Sequence, residues 1–313
     1  MLLSRVAENL YWAARYLERA EGTARVLNEH TNFLVDLPTT VPLTWEPLLA
    51  ITGSRTNFDD SYPQADEASI VRFLVADRNN AGSILRSIES TRDNMRTTRE
   101  VLPRQVWQVV NDVYLYLASN SVDGIGRSTR GRFLERVIAE AQRVRGVLYG
   151  TMSRDDAFLF LRLGYNIERA DLATRVLDVR AAALVDDTLS SAFEDVQWAS
   201  VLRSLSALQM YHRTTRSPVE GPTTLRFLLH DLTFPESVAH CLQNVSSCID
   251  ALPHAKLVSP HCDDALTTLA VFPTDGLSPT LLHDWVDHLQ LAIGRIHEQI
   301  AETYFRAATA DAD

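Results

Sequence analysis

Two glutamate–arginine dipeptides, Glu18-Arg19 and Glu168-Arg169, are the residues of this chain best suited to chemistry. Each opens a ten-residue stretch, Glu18 to Leu27 and Glu168 to Leu177, in which six positions are identical between the copies. A seventh, Glu21 against Asp171, keeps its carboxylate. Consecutive helical residues point roughly 100° apart, so the glutamate and arginine of one dipeptide cannot pair with each other. Arg15 can reach Glu18 and Arg19, whereas Glu21 with Arg25 and Asp171 with Arg175 are four apart in the favourable order. Three uses follow. The plainest is an ion-pair network that fixes how helices dock. Alternatively, Glu18 and Glu168 meet as a carboxylate pair, for acid–base work or for holding a cation or amine. In the third, the arginines capture an anionic partner.

Other constellations fall short of a known chemistry. A ferritin-like di-metal centre needs Glu-x-x-His on two helices, and that spacing is missing from the chain. His261-Cys262-Asp263-Asp264, and His283 with Asp287 and His288, match neither zinc-finger nor H-E-x-x-H spacing, so no metal and no cofactor is expected. His230-Asp231 and His240-Cys241 invite Cys/His catalysis, but on a helix His240 and Cys241 face different directions. Gly124 to Gly131 interleaves glycine and arginine as an anion cradle would, yet it follows a helix rather than a strand. It reads as an exposed loop. The tryptophans read mostly as core, and Tyr11-Trp12, with Arg15, is the stretch most suited to docking a partner.

Helices must position these groups. Leu10, Ala13, Leu17, Ala20, Ala24 and Leu27 recur at three- and four-residue steps, predicting a helix over 3–35 that Pro38 and Pro42 end. Phe160, Leu163, Ile167, Ala170, Thr174 and Leu177 do the same for a helix over 153–183. Further helices are expected at 44–53 (N-capped by Thr44), 66–76, 81–102, 103–117, 131–149, 191–210 and 278–307. Loops are expected over 53–63, 120–131 and 217–222, and between Pro253 and Pro260. Thr233-Phe234-Pro235-Glu236 predicts a helix start. Alternating β-branched stretches are missing, so the fold class is all-α.

The repetition extends further. Trp45, Leu48 and Leu49 match Trp198, Val201 and Leu202, and Phe73 to Asp77 with Ser83 and Ile84 matches Phe227 to Asp231 with Ser237 and Val238. We read a tandem duplication: a duplicated helical bundle with two pseudo-symmetric halves, 1–150 and 151–313, merged into one globular unit. The small residues Ala14 with Gly164, Ala20 with Ala170, and Ala24 with Thr174 would let the two repeated helices cross closely.

At 313 residues the chain can bury a large core. Its formal charge of −10 argues against non-specific binding to nucleic acid or an anionic membrane. Lys256 is the lone lysine, which excludes a Walker-type phosphate loop and leaves little room for Schiff-base chemistry. Cys241, Cys248 and Cys262 form no C-x-x-C pair and read as buried thiols of a reducing compartment. With neither a signal-peptide pattern nor a membrane-spanning stretch, a cytoplasmic protein is expected.

The opening run Leu3-Ser4-Arg5-Val6-Ala7-Glu8-Asn9-Leu10-Tyr11-Trp12, with Arg15-Tyr16-Leu17-Glu18-Arg19-Ala20-Glu21, resembles the start of the bacterial alpha-E family. Asn80-x-x-Ser83-Ile84, Arg92-Asp93-Asn94-x-Arg96, Phe227-Leu228-Leu229 and Phe234-Pro235-x-Ser237-Val238 resemble it too. The departures are Ala14 for an expected glycine, Ala81 for proline, and Tyr165-Asn166 for an Arg-Tyr pair. The resemblance implies an all-helical protein encoded beside circularly permuted ATP-grasp ligases and transglutaminase-like cysteine peptidases, sometimes with an Anbu proteasome-like peptidase. An accessory or binding protein of an ATP-grasp amidoligase system for peptide or protein modification is therefore expected. An enzyme of amide transfer or hydrolysis using Glu18, Arg19, Glu168 and Arg169 in a central pocket is the alternative, and a purely structural homodimer a third reading.

Overall fold

A computed structural model describes residues 2–36, 44–185, 194–272 and 278–306. The described residues form helices and no strand. In chain order these are α1 (Ser4–Asp36), α2 (Pro47–Ile51), α3 (Arg55–Asp59), α4 (Glu67–Val75), α5 (Ile84–Thr97), α6 (Arg104–Ile125) and α7 (Arg130–Thr151). There follow α8 (Asp156–Val185), α9 (Glu194–Ser204), α10 (Leu208–Thr215), α11 (Gly221–His230), α12 (Val238–Asp250), α13 (Ala255–Ala270) and α14 (Pro279–Ile300).

The two long helices, α1 and α8, lie against each other at the centre. α5 and α7 also cover α1, and α12 and α14 cover α8. The short helices cross over: α2 packs on α8, and α9 packs on α1. All the apolar positions that define the α1 stripe, from Leu10 to Leu27, are buried, as are those of α8 from Phe160 to Leu177. Burial does not stop at the stripe. With neighbours on several sides, α1 also buries Tyr11, Arg15, Glu18, Glu21, Thr23 and Arg25. Its polar groups must therefore find partners inside the protein, because a buried charge without one is costly.

Small residues allow the close crossing. A Cβ built on Gly164 would lie 2.2 Å from the carbonyl oxygen of Tyr11 and 3.0 Å from the Ala14 Cβ. A Cβ on Gly22 would lie 2.4 Å from the Leu172 side chain. Backbone meets backbone here, as the pairing of Ala14 with Gly164 predicts.

Several local expectations change. Residues 53–63 contain a helix, α3, and α2 begins at Pro47 without a side-chain cap, so Thr44 is not its N-cap. α6 continues to Ile125, which leaves only a short break before α7 where 120–131 suggested a loop. The expected 191–210 helix is two, α9 and α10, parted where Ser206 turns left-handed at φ 52°. α14 ends at Ile300 and widens into a π-turn, Ala301–Phe305. Thr233 caps nothing: its hydroxyl and backbone N–H both donate to the Asp231 carboxylate, at 2.8 and 2.7 Å. The helix starts at Val238 instead, where the Ser237 hydroxyl accepts from His240 N–H at 3.1 Å. Ser83 caps α5 in the same way, through Arg86 N–H at 3.2 Å. Pro260 lies inside α13 on its exposed side. The carbonyl it leaves unbonded, one turn back, belongs to exposed Lys256. Pro38 and Pro42 lie outside the described residues.

Candidate functional site

The polar residues of α1 and α8 interlock across the crossing. Arg19 of α1 donates to Glu168 of α8 at 2.6 and 3.1 Å. Arg169 of α8 donates to Glu18 of α1 at 2.8 Å. Each dipeptide thus pairs its arginine with the other's glutamate, a reciprocal clasp between the helices. Arg15 joins it by donating to Glu168 at 2.7 Å, rather than to Glu18 one turn along its own helix. Asp171 and Arg175 form the expected pair within α8 at 3.0 Å.

Around Glu18 the lattice thickens. This carboxylate is 0% exposed and accepts from Arg169, from Arg25 at 3.3 Å and from Arg145 of α7 at 2.8 Å. Arg145 also bonds Glu21, whose contact with Arg25 is looser at 3.9 Å. Arg25 reaches on to Glu236 at 2.9 Å, and Arg169 lies 3.6 Å from the same carboxylate. Three arginines therefore face three glutamates. Arg145 and Glu236 are members of this lattice that the sequence reading missed. Glu236 belongs to the Thr-Phe-Pro-Glu stretch, where it reads as a capping glutamate, and Arg145 is one arginine among several on α7. The signal for Arg145 is indirect: Tyr165 stands where the alpha-E resemblance expects arginine, and Arg145 lies over its ring at 5.4 Å.

Burial works against ionising Glu18, but the guanidiniums of Arg145, Arg169 and Arg25 outweigh it and bring the carboxyl down to about 2. Glu168 is likewise opposed by burial, and Arg19 and Arg15 bring it down to about 2. Both are ionised and each is bonded to arginine of the other helix, which is the ion-pair network rather than the carboxylate pair for acid–base work or for a cation. Glu21 moves the other way, raised by burial and by the Glu18 charge beside it. Burial also lowers His30 and His297 to about 4.

A pH dependence follows. His30 and His297 are lowered on folding, so the stability tied to their neutral forms is lost as pH falls from about 6.5 towards 4. The stability carried by Glu18 and Glu168, on the order of 3 kcal/mol each, is present above about 4.5 and lost towards pH 2. Glu21, being raised, opposes this trend by taking up a proton more readily when folded. His283, raised by Asp178, opposes it too, but the lowered groups outnumber these two and include the most deeply buried carboxylates, so the melting temperature is expected to fall below about pH 6. Thermal melts from pH 7 to 3 check it; a flat profile down to pH 4 would contradict the assignment.

The docking expectation for Tyr11, Trp12 and Arg15 changes. Tyr11 is 0% exposed, its hydroxyl 2.8 Å from His297 Nδ1. Arg15 is buried against Glu168, and Trp12 is half-buried between Tyr16 and His297. Tyr11 and Arg15 are thus buried and Trp12 keeps part of its surface, because α14 and the π-turn fold over this end of α1. Cys241, Cys248 and Cys262 are buried free thiols, and burial raises all three. Cys241 is thus a poor nucleophile, while His240 bonds the Leu232 carbonyl. In the glycine–arginine stretch, Arg127 and Arg130 both bind Glu67, so that segment is a brace for α4 rather than an anion cradle. His283 and Asp287 do come together with Asp178 of α8, one ligand atom of each lying within 4.8 Å of the others. The trio is partly exposed and His283 already bonds Asp178.

Among the described residues, three openings border the lattice, one of about 460 Å³ being lined by Arg15, Asp171 and His297. Arg19 and Glu168 line a pocket of about 250 Å³ with Asn80 and Arg175. Arg145, Arg169 and Glu236 form the inner wall of a cleft of about 960 Å³ between α7, α8 and α12. Glu18 is sealed behind those arginines.

Comparison with known proteins agrees with the motif. An uncharacterised protein of Mycobacterium bovis and one of Mycobacterium tuberculosis are each 24% identical to this chain over 271 residues, 80% of the chain. The chain spans 30% of the length of these relatives. No solved structure matches it. The Alpha-E family, described as a predicted alpha-helical domain with a conserved ER motif, matches residues 2–305. With its helical fold and its two Glu-Arg dipeptides clasped at the centre, this chain belongs to the Alpha-E family.

Proposed function

We propose that the chain is a non-catalytic accessory protein that binds an ATP-grasp amide ligase in a peptide-ligation or protein-modification system. The state of the Glu-Arg motif carries this reading. Glu18 is ionised and sealed against three arginines, and Glu168 is ionised against two. Neither takes up a proton near neutral pH, so neither supplies the general acid or base that amide transfer or hydrolysis needs. A helical body organised around a saturated ionic clasp suits a rigid docking module better than an active site. The relatives add support: the region similar to this chain is a minor part of longer polypeptides. A helical unit that works joined to other domains would look like this.

The ligase partner is of the circularly permuted ATP-grasp type, with a transglutaminase-like peptidase or an Anbu proteasome-like peptidase as further members of the system. This reading places the protein in the cytoplasm, and it takes the fold as a duplication with the two halves merged. The reciprocal pairs Arg19–Glu168 and Arg169–Glu18, the matching caps Ser83 and Ser237, and the crossed packing of α2 and α9 support the duplication. No helix is long and apolar enough to cross a membrane among the described residues.

Light scattering on the purified chain, alone and mixed with the ATP-grasp ligase encoded beside it, is the test. A complex with the summed mass of both proteins is expected. If the chain keeps its own mass beside the ligase, the accessory reading fails; a dimer that ignores the ligase would favour a purely structural role.

A further inference from the structure

The cleft between α7, α8 and the start of α12 holds charge that the protein itself does not neutralise. Its inner arginines, Arg145 and Arg169, are spent on Glu18, Glu21 and Glu236. Two outer ones are not. Exposed Arg154 lies over the Phe158 ring at 4.0 Å and donates to the Tyr149 carbonyl at 2.7 Å. Half-buried Arg162 donates to the side-chain oxygen of Asn244. Neither has a carboxylate partner among the described residues, in a chain whose formal charge is −10. Both line the same cleft.

An independent observation points to a ligand. Tyr165 lines this cleft, is 3% exposed, and its hydroxyl has no hydrogen-bond partner. The Nε of Arg145, which lies over the same ring, also lacks one. Buried donors are almost always satisfied by protein or water, so two left open just behind the wall of a cavity favour an acceptor that enters it.

We infer that this cleft binds an acidic peptide segment. Carboxylates of the segment pair with Arg154 and Arg162, an acceptor on it takes the Tyr165 hydroxyl, and its amides meet the side-chain amides of Asn166 and Asn244. A guanidinium fork recognises a carboxylate through two parallel hydrogen bonds, which gives both strength and orientation. The volume of about 960 Å³ suits a short peptide better than a single ion. Phe158 and Phe234 give it apolar walls that an inorganic anion would leave unused. This assignment goes beyond ligase docking and does not depend on it.

Isothermal titration of the full chain with tetraglutamate tests the site, with tetraglutamine and inorganic phosphate at matched ionic strength as controls. Saturable one-to-one binding of tetraglutamate is expected, with none for tetraglutamine. The double variant Arg154→Gln/Arg162→Gln, which breaks no ion pair, should weaken it at least about tenfold. Tyr165→Phe should weaken it about threefold to tenfold while leaving the melting temperature unchanged or raised. The inference is overturned if tetraglutamate binds no better than tetraglutamine, or if the double variant binds it as the native chain does. Saturable phosphate binding that displaces the peptide would overturn it as well, by making the cleft a single-anion site.

Discussion

A Glu18→Gln variant is expected to melt roughly 10 °C below the native chain. Glu18 is the most enclosed carboxylate of the lattice, 0% exposed, with Arg25, Arg145 and Arg169 all bonded to it. Glutamine keeps the size and one acceptor oxygen but removes the charge. It would leave the three arginines facing only Glu21 and Glu236. Removing one partner of a buried ion pair costs about 3–5 kcal/mol, because the remaining charge is stranded away from water. At roughly 2–4 °C per kcal/mol for chains of this size, that gives the stated fall. Glu168→Gln should cost clearly less. Arg19, one of its two partners, keeps 28% of its side chain exposed and can be hydrated where Arg25 cannot. Melts followed by circular dichroism measure both. If Glu18→Gln melted within about 2 °C of the native chain, the lattice would be incidental to stability.

The second large effect is expected at the helix crossing. Gly164→Ala should destabilise the protein by about 3 kcal/mol, although alanine is worth about 1 kcal/mol over glycine in an ordinary helix. The added methyl would sit 2.2 Å from the Tyr11 carbonyl oxygen, and a backbone atom inside a packed helix cannot swing aside as a side chain can. α1 and α8 would have to part, and parting them lengthens the Arg19–Glu168 and Arg169–Glu18 bonds. Gly294→Ala provides the contrast. A Cβ there meets nothing within 4 Å, so helix propensity alone acts and the change should stabilise by up to about 1 kcal/mol. Urea unfolding of the two variants separates the cases; equal behaviour would mean that the close crossing is not what α1 and α8 depend on.

By itself the sequence determined the class of fold, the long helices and most of their inward faces. The steps from Leu10 to Leu27 and from Phe160 to Leu177 are local periodicities, and a helix turns them into a buried stripe whatever surrounds it. The small residues at 14 and 164 announced a close crossing for the same kind of reason, since only residues without bulk let backbones touch. Pairs within one helix, Asp171 with Arg175 for instance, were also legible, because spacing along a helix is distance in space. Helix boundaries were less so: Thr-Phe-Pro-Glu carries every mark of a helix start, but the nearby Asp231 carboxylate takes its donors and Ser237 does the capping.

Only the tertiary structure decided what the Glu-Arg motif does. A guanidinium pairs with whichever carboxylate packing brings within about 3 Å, and sequence separation says nothing about that distance. Arg15 passes over Glu18 to reach Glu168, Arg145 arrives from α7, and Glu236 comes from the turn before α12. Tyr11 looked like an exposed anchor until α14 covered it. The unspent arginines, Arg154 and Arg162, stand out only once every other charge around the cleft has been given its partner.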